Sequence, residues 1–354
     1  MRANIGRMNS KARGLGVNLR PHLKTAKSAA VATIATENHQ YGIAVSTLRE
    51  AEYFAEHGFK DILYAVGIVP SKLAQAAALM EMDVDLKVVT DNVAVARAIA
   101  AHGAPFKVLV EIDCGDRRAG VQADGDELLA IAMAFKPPTT ARLLGLMTHA
   151  GHSYAAGTIS AVAAVAEEER TAISLAATRL RDVGHEIEIV SAGSTPTALH
   201  MPKAQGLTEL RAGVYVFFDL DQQSRGVCDR SDIALSVLAS VIGHNRAAGK
   251  ILLDSGGLAL SKDTSATAFR PEVGYGEVCT VDDDQAATGL YVTAVSQEHG
   301  HVAVTDESAY ERFPIGSQVR VLPNHACMTA AAYDCYHVVQ GGTVVERWDR
   351  TNGW

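Results

Sequence analysis

Long hydrophobic runs, paired cysteines and an excess of basic residues are all missing from this chain of 354 residues. No apolar stretch reaches the roughly 18 residues that a membrane helix requires. The longest Ala/Val run, Ala161 to Ala166, leads into Glu167-Glu168-Glu169-Arg170 and reads as part of an amphipathic helix. Five cysteines, an odd number without paired spacing, rule out a disulfide framework. A formal net charge of −8 argues against nucleic acid as a partner, because binding a phosphate backbone needs a basic face. No secretory leader is legible at the start, and neither a short repeat nor a low-complexity linker interrupts the chain. With 48% hydrophobic residues, these absences predict a soluble cytoplasmic enzyme with no membrane partner. The length suits one large α/β domain and a smaller companion.

What is present is alternation. Strand-like runs at Leu19–Lys24, Gly42–Ser46, Asp61–Val66, Leu86–Thr90, Lys107–Asp113, Arg142–His149, Glu186–Ser191 and Glu209–Asp219 are separated by Ala-rich helical windows. The windows include Lys27–Glu37, Thr47–His57, Lys72–Met80, Asn92–His102 and Ser160–Val183. Eight strands with intervening helices is the count for a (β/α)8 barrel, placed here over residues 1–221. From about Asp221 the texture changes. Ile233–Gly243, Lys250–Asp254, Gly276–Thr280, Leu290–Gln297, Ser317–Leu322 and Tyr336–Val339 predict a mainly β domain over residues 222–354. The chain opens in a helical stretch, Arg2–Leu15, with no strand before it: either the start is naturally short or an N-terminal strand has been lost.

In a barrel, functional groups gather at the C-terminal ends of the strands. Lys24 ends the first predicted strand, where a partly desolvated amine can form a Schiff base; the plainer reading is a surface lysine. The stretch from Ser191 through Gly193, Ser194 and Thr195 to Thr197 follows the seventh strand. It offers small residues, hydroxyls and backbone N–H groups for a phosphate, or simply a Gly-rich turn with a helix cap. Arg211-Ala212-Gly213-Val214-Tyr215, in the eighth strand, completes such a cradle. A phosphate cup with a strand-end lysine points to pyridoxal phosphate.

Ile112–Gly120 closes the fifth strand with Arg117 and Arg118, suited to a phenolic oxygen or a substrate carboxylate, or to pairing with Asp113 or Asp116. After the sixth strand, His149, His152 and Tyr154 are of the type that stacks on or bonds to a pyridine ring, and equally of the type that packs in a core. His325 and Cys327 flank a single residue, so in an extended strand both point to one side. Imidazole with thiolate selects zinc, and two protein ligands leave positions open for substrate oxygens. The alternative is a buried cysteine beside an ordinary histidine. Cys114, Cys228, Cys279 and Cys335 show no ligand spacing and read as buried fillers.

Arg20-Pro21-His22-Leu23-Lys24-Thr25, Ile112–Gly120, Ala150–Tyr154, Gly193–Thr197, Glu209–Asp219, Ser296–Gly300 and Pro323–Cys327, in this order, resemble the fold-type III pyridoxal phosphate enzymes. More narrowly they resemble the D-serine dehydratase/D-threonine aldolase family, along nearly the whole chain. The resemblance implies a TIM barrel of the alanine-racemase type with a C-terminal mainly β domain, working as a head-to-tail homodimer with the site between subunits. It implies Lys24 as the Schiff-base lysine, Gly193, Ser194, Thr195, Gly213 and Val214 around the phosphate, and His325 with Cys327 on the metal. Arg211 matches the arginine that faces the pyridine nitrogen in alanine racemases, and Tyr154 competes with it for that role. A leading strand, present in relatives, is missing, which bears on stability more than on chemistry.

Dehydratases of this group resemble one another in an H-x-C pair with zinc, and the aldolases carry H-x-D with manganese or magnesium, so Cys327 favours the dehydratase. The implied reaction takes a D-amino acid, D-serine or D-threo-3-hydroxyaspartate, to a 2-oxo acid and ammonia. A second carboxylate on the substrate needs an extra cation, with His149, His152 and Arg117 as the choices. The competing activities are retro-aldol cleavage, racemisation and a non-catalytic carrier role. The first uses the same imine and metal, the second needs another base, and the third lacks the β domain.

Overall fold

Residues Lys107–Asp113 are buried on both faces of the strand, as a parallel sheet covered by helices requires. Seven other runs behave alike, and together they are β1 Asn18–Pro21, β2 Ile43–Val45, β3 Asp61–Gly67, β4 Asp85–Thr90, β5 Lys107–Asp113, β6 Arg142–Thr148, β7 Ile189–Ala192 and β8 Glu209–Ala212. The computed structural model describes residues 1–37, 41–282 and 286–354. Each of the eight pairs in parallel with its neighbour in the order β1-β8-β7-β6-β5-β4-β3-β2, and a bridge between His22 and Ala44 joins the first to the last. This is the expected (β/α)8 barrel. A two-residue strand, Val121–Gln122, adds to β5.

Helix α1, Arg2–Gly14, precedes the first strand, and helices follow the strands, among them α2 Ala29–Thr36, α3 Leu48–Glu56, α4 Leu73–Glu81, α5 Val93–His102, α6 Asp126–Met133, α7 Ile159–Asp182 and α8 Thr195–His200. Their starts are written in side chains that accept orphan N–H groups: Thr47 from Glu50, Asn92 from Ala94 and Val95, Thr158 from Ala161. No helix among the described residues is long and apolar enough to cross a membrane.

Two strands stop well short of the C-terminal ends that the sequence predicts. Pro21 ends β1, so Lys24 lies in the turn beyond the strand rather than in it. β8 stops at Ala212, and Val214–Val216 turn as a 3-10 helix. Gly213 packs so close that a Cβ there would stand 2.8 Å from the His22 carbonyl, and the apolar run after it is buried without being extended.

The barrel interior is divided. Ala44, Leu63, Val89, Leu109, Leu144 and Met147 form an apolar cluster. On β1 and β8, Arg20 stands in register with Arg211, two like charges facing one space. Glu209 resolves this: the Arg20 Nε donates to both Glu209 oxygens at 3.0 Å, and the Arg20 Nη1 donates to Asp61 at 2.7 Å. Lys87 continues the column, 2.6 Å from Asp61 and 2.8 Å from Asp85. Arg20, Glu209 and Lys87 are all buried. Burial alone would lower the Arg20 pKa, but Glu209 and Asp61 raise it overall, so the guanidinium is fully charged.

The chain divides into two compact units, Ile5–Tyr215 with Thr351–Trp354, and Met1–Asn4 with Val216–Arg350. The second unit holds a closed antiparallel barrel of β9 Val237–Asn245, β10 Lys250–Leu253, β11 Gly276–Cys279, β12 Ala287–Val295, β13 Gly300–Ala303 and β14 Gln318–Pro323. Their order is β9-β10-β13-β12-β11-β14. Alternation builds its core, with Val237, Ala239 and Val241 buried while Leu238 is exposed. A hairpin, β15 Cys335–Gln340 and β16 Thr343–Asp349, turns on Gly341-Gly342, both at positive φ. Cys114 and Cys279 are buried as expected. Cys228 and Cys335 are only half-buried, because one lies in a loop and the other opens the exposed hairpin.

Replacing Arg20 with Met leaves the buried Glu209 carboxylate without its cation and costs about 3–5 kcal/mol, read as a lowered midpoint in urea. Asp61 is held below its ordinary pKa by Arg20 and Lys87 against the opposing effect of burial. That contribution is complete above the unfolded value of about 3.9 and is lost as pH falls through the folded one, so Arg20→Met also flattens the acid limb of the stability curve.

Candidate active site

The turn that carries Lys24 is clamped on both sides. His22 Nε2 lies 2.9 Å from the Ser46 hydroxyl, and Lys27, at φ +49°, places its Nζ 3.1 Å from the buried Glu50. Glu50 also accepts the Ser46 N–H at 3.0 Å, so one carboxylate ties together both flanks of the turn. The Lys27 N–H donates to the Leu23 carbonyl at 2.7 Å, and the Lys27 carbonyl accepts from Thr351 N–H at 2.8 Å. Lys24 itself is exposed within this unit.

Positive charge collects at this end of the barrel. Burial lowers the His149 pKa to about 3, and Lys24, Arg118 and Arg211 press it the same way. His22 is lowered by burial, then by Lys24 and Arg211. Both rings are neutral near pH 7, and His149 Nδ1 sits 3.4 Å from the Gly193 carbonyl. Arg118 is 57% exposed, 3.6 Å from Glu111 and 3.9 Å from Asp116, which leaves it loosely held. Arg117 stands at φ +56° in a loop fastened by Asp113, whose carboxylate accepts from Gly115 and Arg117 N–H groups.

Arg211 is tied down the barrel axis. Its Nη1 donates to the Ser191 hydroxyl at 2.7 Å, its Nη2 donates to the Thr148 carbonyl, and Ser191 donates to Glu209 at 2.6 Å. The Arg211 Nε is buried and has no hydrogen-bond partner among the described residues. Such an orphan donor is the mark of a site built for an acceptor that the polypeptide does not supply.

The stretch after β7 departs from its expected form. Gly193 at φ +124° packs where a Cβ would lie 2.6 Å from the Arg211 carbonyl, so only glycine fits. Its N–H donates to Glu169 at 2.8 Å and the Ser194 N–H donates to Thr197 at 2.9 Å. These two amides are satisfied within the protein, and the hydroxyls of Ser194 and Thr195 stand beside them. The Ser194 hydroxyl is 2.9 Å from that of Ser153, and the Thr195 hydroxyl accepts the Tyr215 N–H at 3.3 Å. Tyr215 is buried, and its phenol has no hydrogen-bond partner among the described residues. His152 and Tyr154 share the 3-10 turn Gly151–Ala155; the His152 ring packs against Gly115 with Nε2 3.9 Å from Glu168, and Tyr154 is half-buried.

In the second unit, the His325/Cys327 pair is not in an extended strand. β14 ends at Pro323, His325 caps a short helix, Ala326–Ala330, and Cys327 lies in its first turn. The helical step still brings the two side chains into hydrogen-bond contact. Asp263 lies 2.7 Å from His325 Nδ1 and accepts the Ser265 N–H at 2.8 Å. Asp219 caps the following helix, Leu220–Ser224, and its other oxygen accepts the Ala326 N–H at 2.8 Å. Burial pulls the His325 pKa down, yet Asp263 and Cys327 outweigh it and push it up to about 11. Among the described residues no group of three or more His, Cys, Asp or Glu gathers that could hold a metal ion.

Glu169 and Asp263, and the supporting roles of Ser191, Glu209 and Asp219, escaped sequence reasoning. For Glu169 a signal existed: it falls in the buried stripe Val162, Ala166, Glu169, Ile173, Ala176 of α7, at helical spacing. Asp263 carries none, since it stands 62 residues from the histidine it holds.

The model of the alanine racemase N-terminal domain matches residues 1–221, and that of the serine dehydratase domain matches residues 234–339. D-threo-3-hydroxyaspartate dehydratase of Delftia sp. is 44% identical over 100% of this chain and 95% of its own. The chain belongs to the D-serine dehydratase family. The solved Delftia structure superposes with a TM-score of 0.96. Two variant structures of that enzyme carry alanine for a histidine and for a cysteine two positions apart, the cysteine variant in its metal-free form. D-serine dehydratase of Dictyostelium discoideum is 33% identical over 96% of this chain and 90% of its own. The more distant D-threonine aldolase of Filomicrobium marinum is 26% identical over 98% of this chain and 91% of its own, with a TM-score of 0.83.

Ser191→Ala, a change within this family member's buried relay, strands an Arg211 donor and a Glu209 oxygen. It lowers stability by about 1–3 kcal/mol, measured by urea unfolding.

Proposed function

We propose that this protein is a pyridoxal phosphate- and metal-dependent dehydratase of D-3-hydroxy amino acids, D-threo-3-hydroxyaspartate and D-serine, releasing a 2-oxo acid and ammonia. One observation carries the reading: His325 and Cys327 meet, with Asp263 on the imidazole, at the same His-x-Cys spacing as the pair altered in the Delftia structures. Soft donors of this kind suit zinc, with manganese or magnesium as alternatives. We take the enzyme to be a cytoplasmic homodimer.

The barrel mouth fits the cofactor by its chemistry: an accessible lysine, two arginines and a buried orphan N–H, beside histidines kept neutral, suit an anionic aldehyde. Lys24 would hold it by an imine. The hydroxyls of Ser194 and Thr195 with the Gly193 and Gly213–Tyr215 segments would hold its phosphate. Arg118 would meet the phenolic oxygen, and Arg211, Tyr154 and His152 the ring. When bound, the cofactor accepts the electron pair left at Cα, and the metal acts as a Lewis acid on the β-hydroxyl.

The chain's own groups do the rest. Lys24 Nζ would take the Cα proton. His22 and His149, already neutral, add no further positive charge beside that amine. Arg118 and Arg211 are fixed cations for anionic groups. Asp263 accepts a proton-bearing Nδ1 and so leaves His325 Nε2 as the ligand atom.

Incubation of the zinc- and cofactor-loaded protein with each D-3-hydroxy amino acid gives ammonia and a 2-oxo acid; glycine and an aldehyde would make it an aldolase instead. Lys24→Ala abolishes the bound-cofactor absorbance and the activity together. Cys327→Ser keeps the absorbance and loses metal-dependent turnover. Asp263→Asn weakens metal affinity about 10–100-fold in a chelator-competition titration.

A further inference from the structure

We infer that Glu169 is a positioning residue for the phosphate end of the cofactor site, holding the Gly193–Ser194 turn so that hydroxyls rather than amides face the ligand. The inference rests on the cofactor reading above and goes beyond it, because Glu169 touches no part of the ligand.

Glu169 is completely buried on α7, in a helix face otherwise made of Val162, Ala166 and Ile173. A carboxyl there is costly unless every oxygen is engaged. Oε1 accepts the Gly193 N–H at 2.8 Å and lies 3.0 Å from the Thr148 hydroxyl, while Oε2 lies 3.0 Å from the Thr197 hydroxyl. These three groups come from the ends of β6 and β7 and from α8, so a single side chain joins three segments that border the mouth.

The connection then passes outward. Thr197, fixed by Glu169, accepts the Ser194 N–H at 2.9 Å and lies 3.1 Å from the Ser194 hydroxyl, which also takes the Thr197 N–H at 3.3 Å. Ser194 cannot turn its amide outward without breaking that ring. An apolar side chain at residue 169 would leave the Gly193 N–H unpaired, and the turn would rotate it toward solvent or ligand. The Ser194 hydroxyl would then lose its place. Glutamine keeps one oxygen for Gly193 and Thr148 and offers an NH2 to Thr197, whose hydroxyl can rotate to accept it.

The test compares pyridoxal phosphate with pyridoxal, which lacks the phosphate, by absorbance titration of the apo-protein. Glu169→Ala raises the Kd for pyridoxal phosphate about 10-fold and that for pyridoxal by less than about 2-fold. Thr197→Val, a nearly isosteric change, shows the same selective loss and serves if the alanine variant does not fold. Glu169→Gln restores the wild-type ratio, and Glu167→Gln, on the same helix but paired with Arg170 and Lys203, leaves it unchanged. Equal loss of both aldehydes, or loss of neither, in Glu169→Ala and Thr197→Val overturns the inference alone. A wild-type protein that binds neither aldehyde overturns the cofactor reading with it.

Discussion

The pairing of Glu209 with Arg20 is the constraint on which the rest of the barrel mouth depends. Two arginines in register on adjacent strands would repel each other in a space that excludes water. One carboxylate takes both of its oxygens to Arg20 and still accepts the Ser191 hydroxyl, and that hydroxyl can then only accept from Arg211. The direction of every proton in the relay follows. Arg211 is left with its Nε turned to no partner among the described residues, and a structural ion pair on the barrel axis shapes the candidate site.

A similar economy governs the second unit. His325 and Cys327 alone would be a mobile pair on a short helix. Asp263 holds the ring from one side, and Asp219 holds the peptide between the two residues by its Ala326 N–H. The carboxylates thus act on the orientation of the proposed donor pair. Both halves of the proposed chemistry rely on acidic residues that touch no substrate, which suits a protein whose reacting groups are mostly cationic or neutral.

The architecture was legible because parallel strands buried on both faces read as unbroken apolar runs, and eight of them alternating with Ala-rich helices have one common solution. Boundaries were less legible where a local feature overrode the pattern, as with Pro21 and Gly213. β13 and β16 were missed, since Gly300–Ala303 is short and Thr343–Asp349 is largely exposed and carries no alternation of burial. At the site, motif residues such as Lys24, Arg211, His325 and Cys327 could be named from sequence. Most of their supports could not, because Glu209 and Asp263 act across distances in the chain that no local spacing records; Glu169 alone left a trace, in the buried stripe of α7.

The loop that bears Lys24 is finished by the far end of the chain. The Lys27 carbonyl takes its hydrogen bond from Thr351, and residues 351–354 group with the barrel although the preceding stretch from Val216 does not. A ribosome therefore delivers the eight barrel strands long before it delivers the amide that closes the lysine loop. The Lys27 carbonyl cannot take that bond until residue 351 has been added. Synthesis order thus leaves one tie of the Lys24 turn to the end, while its ties to Ser46 and Glu50 are available from the start.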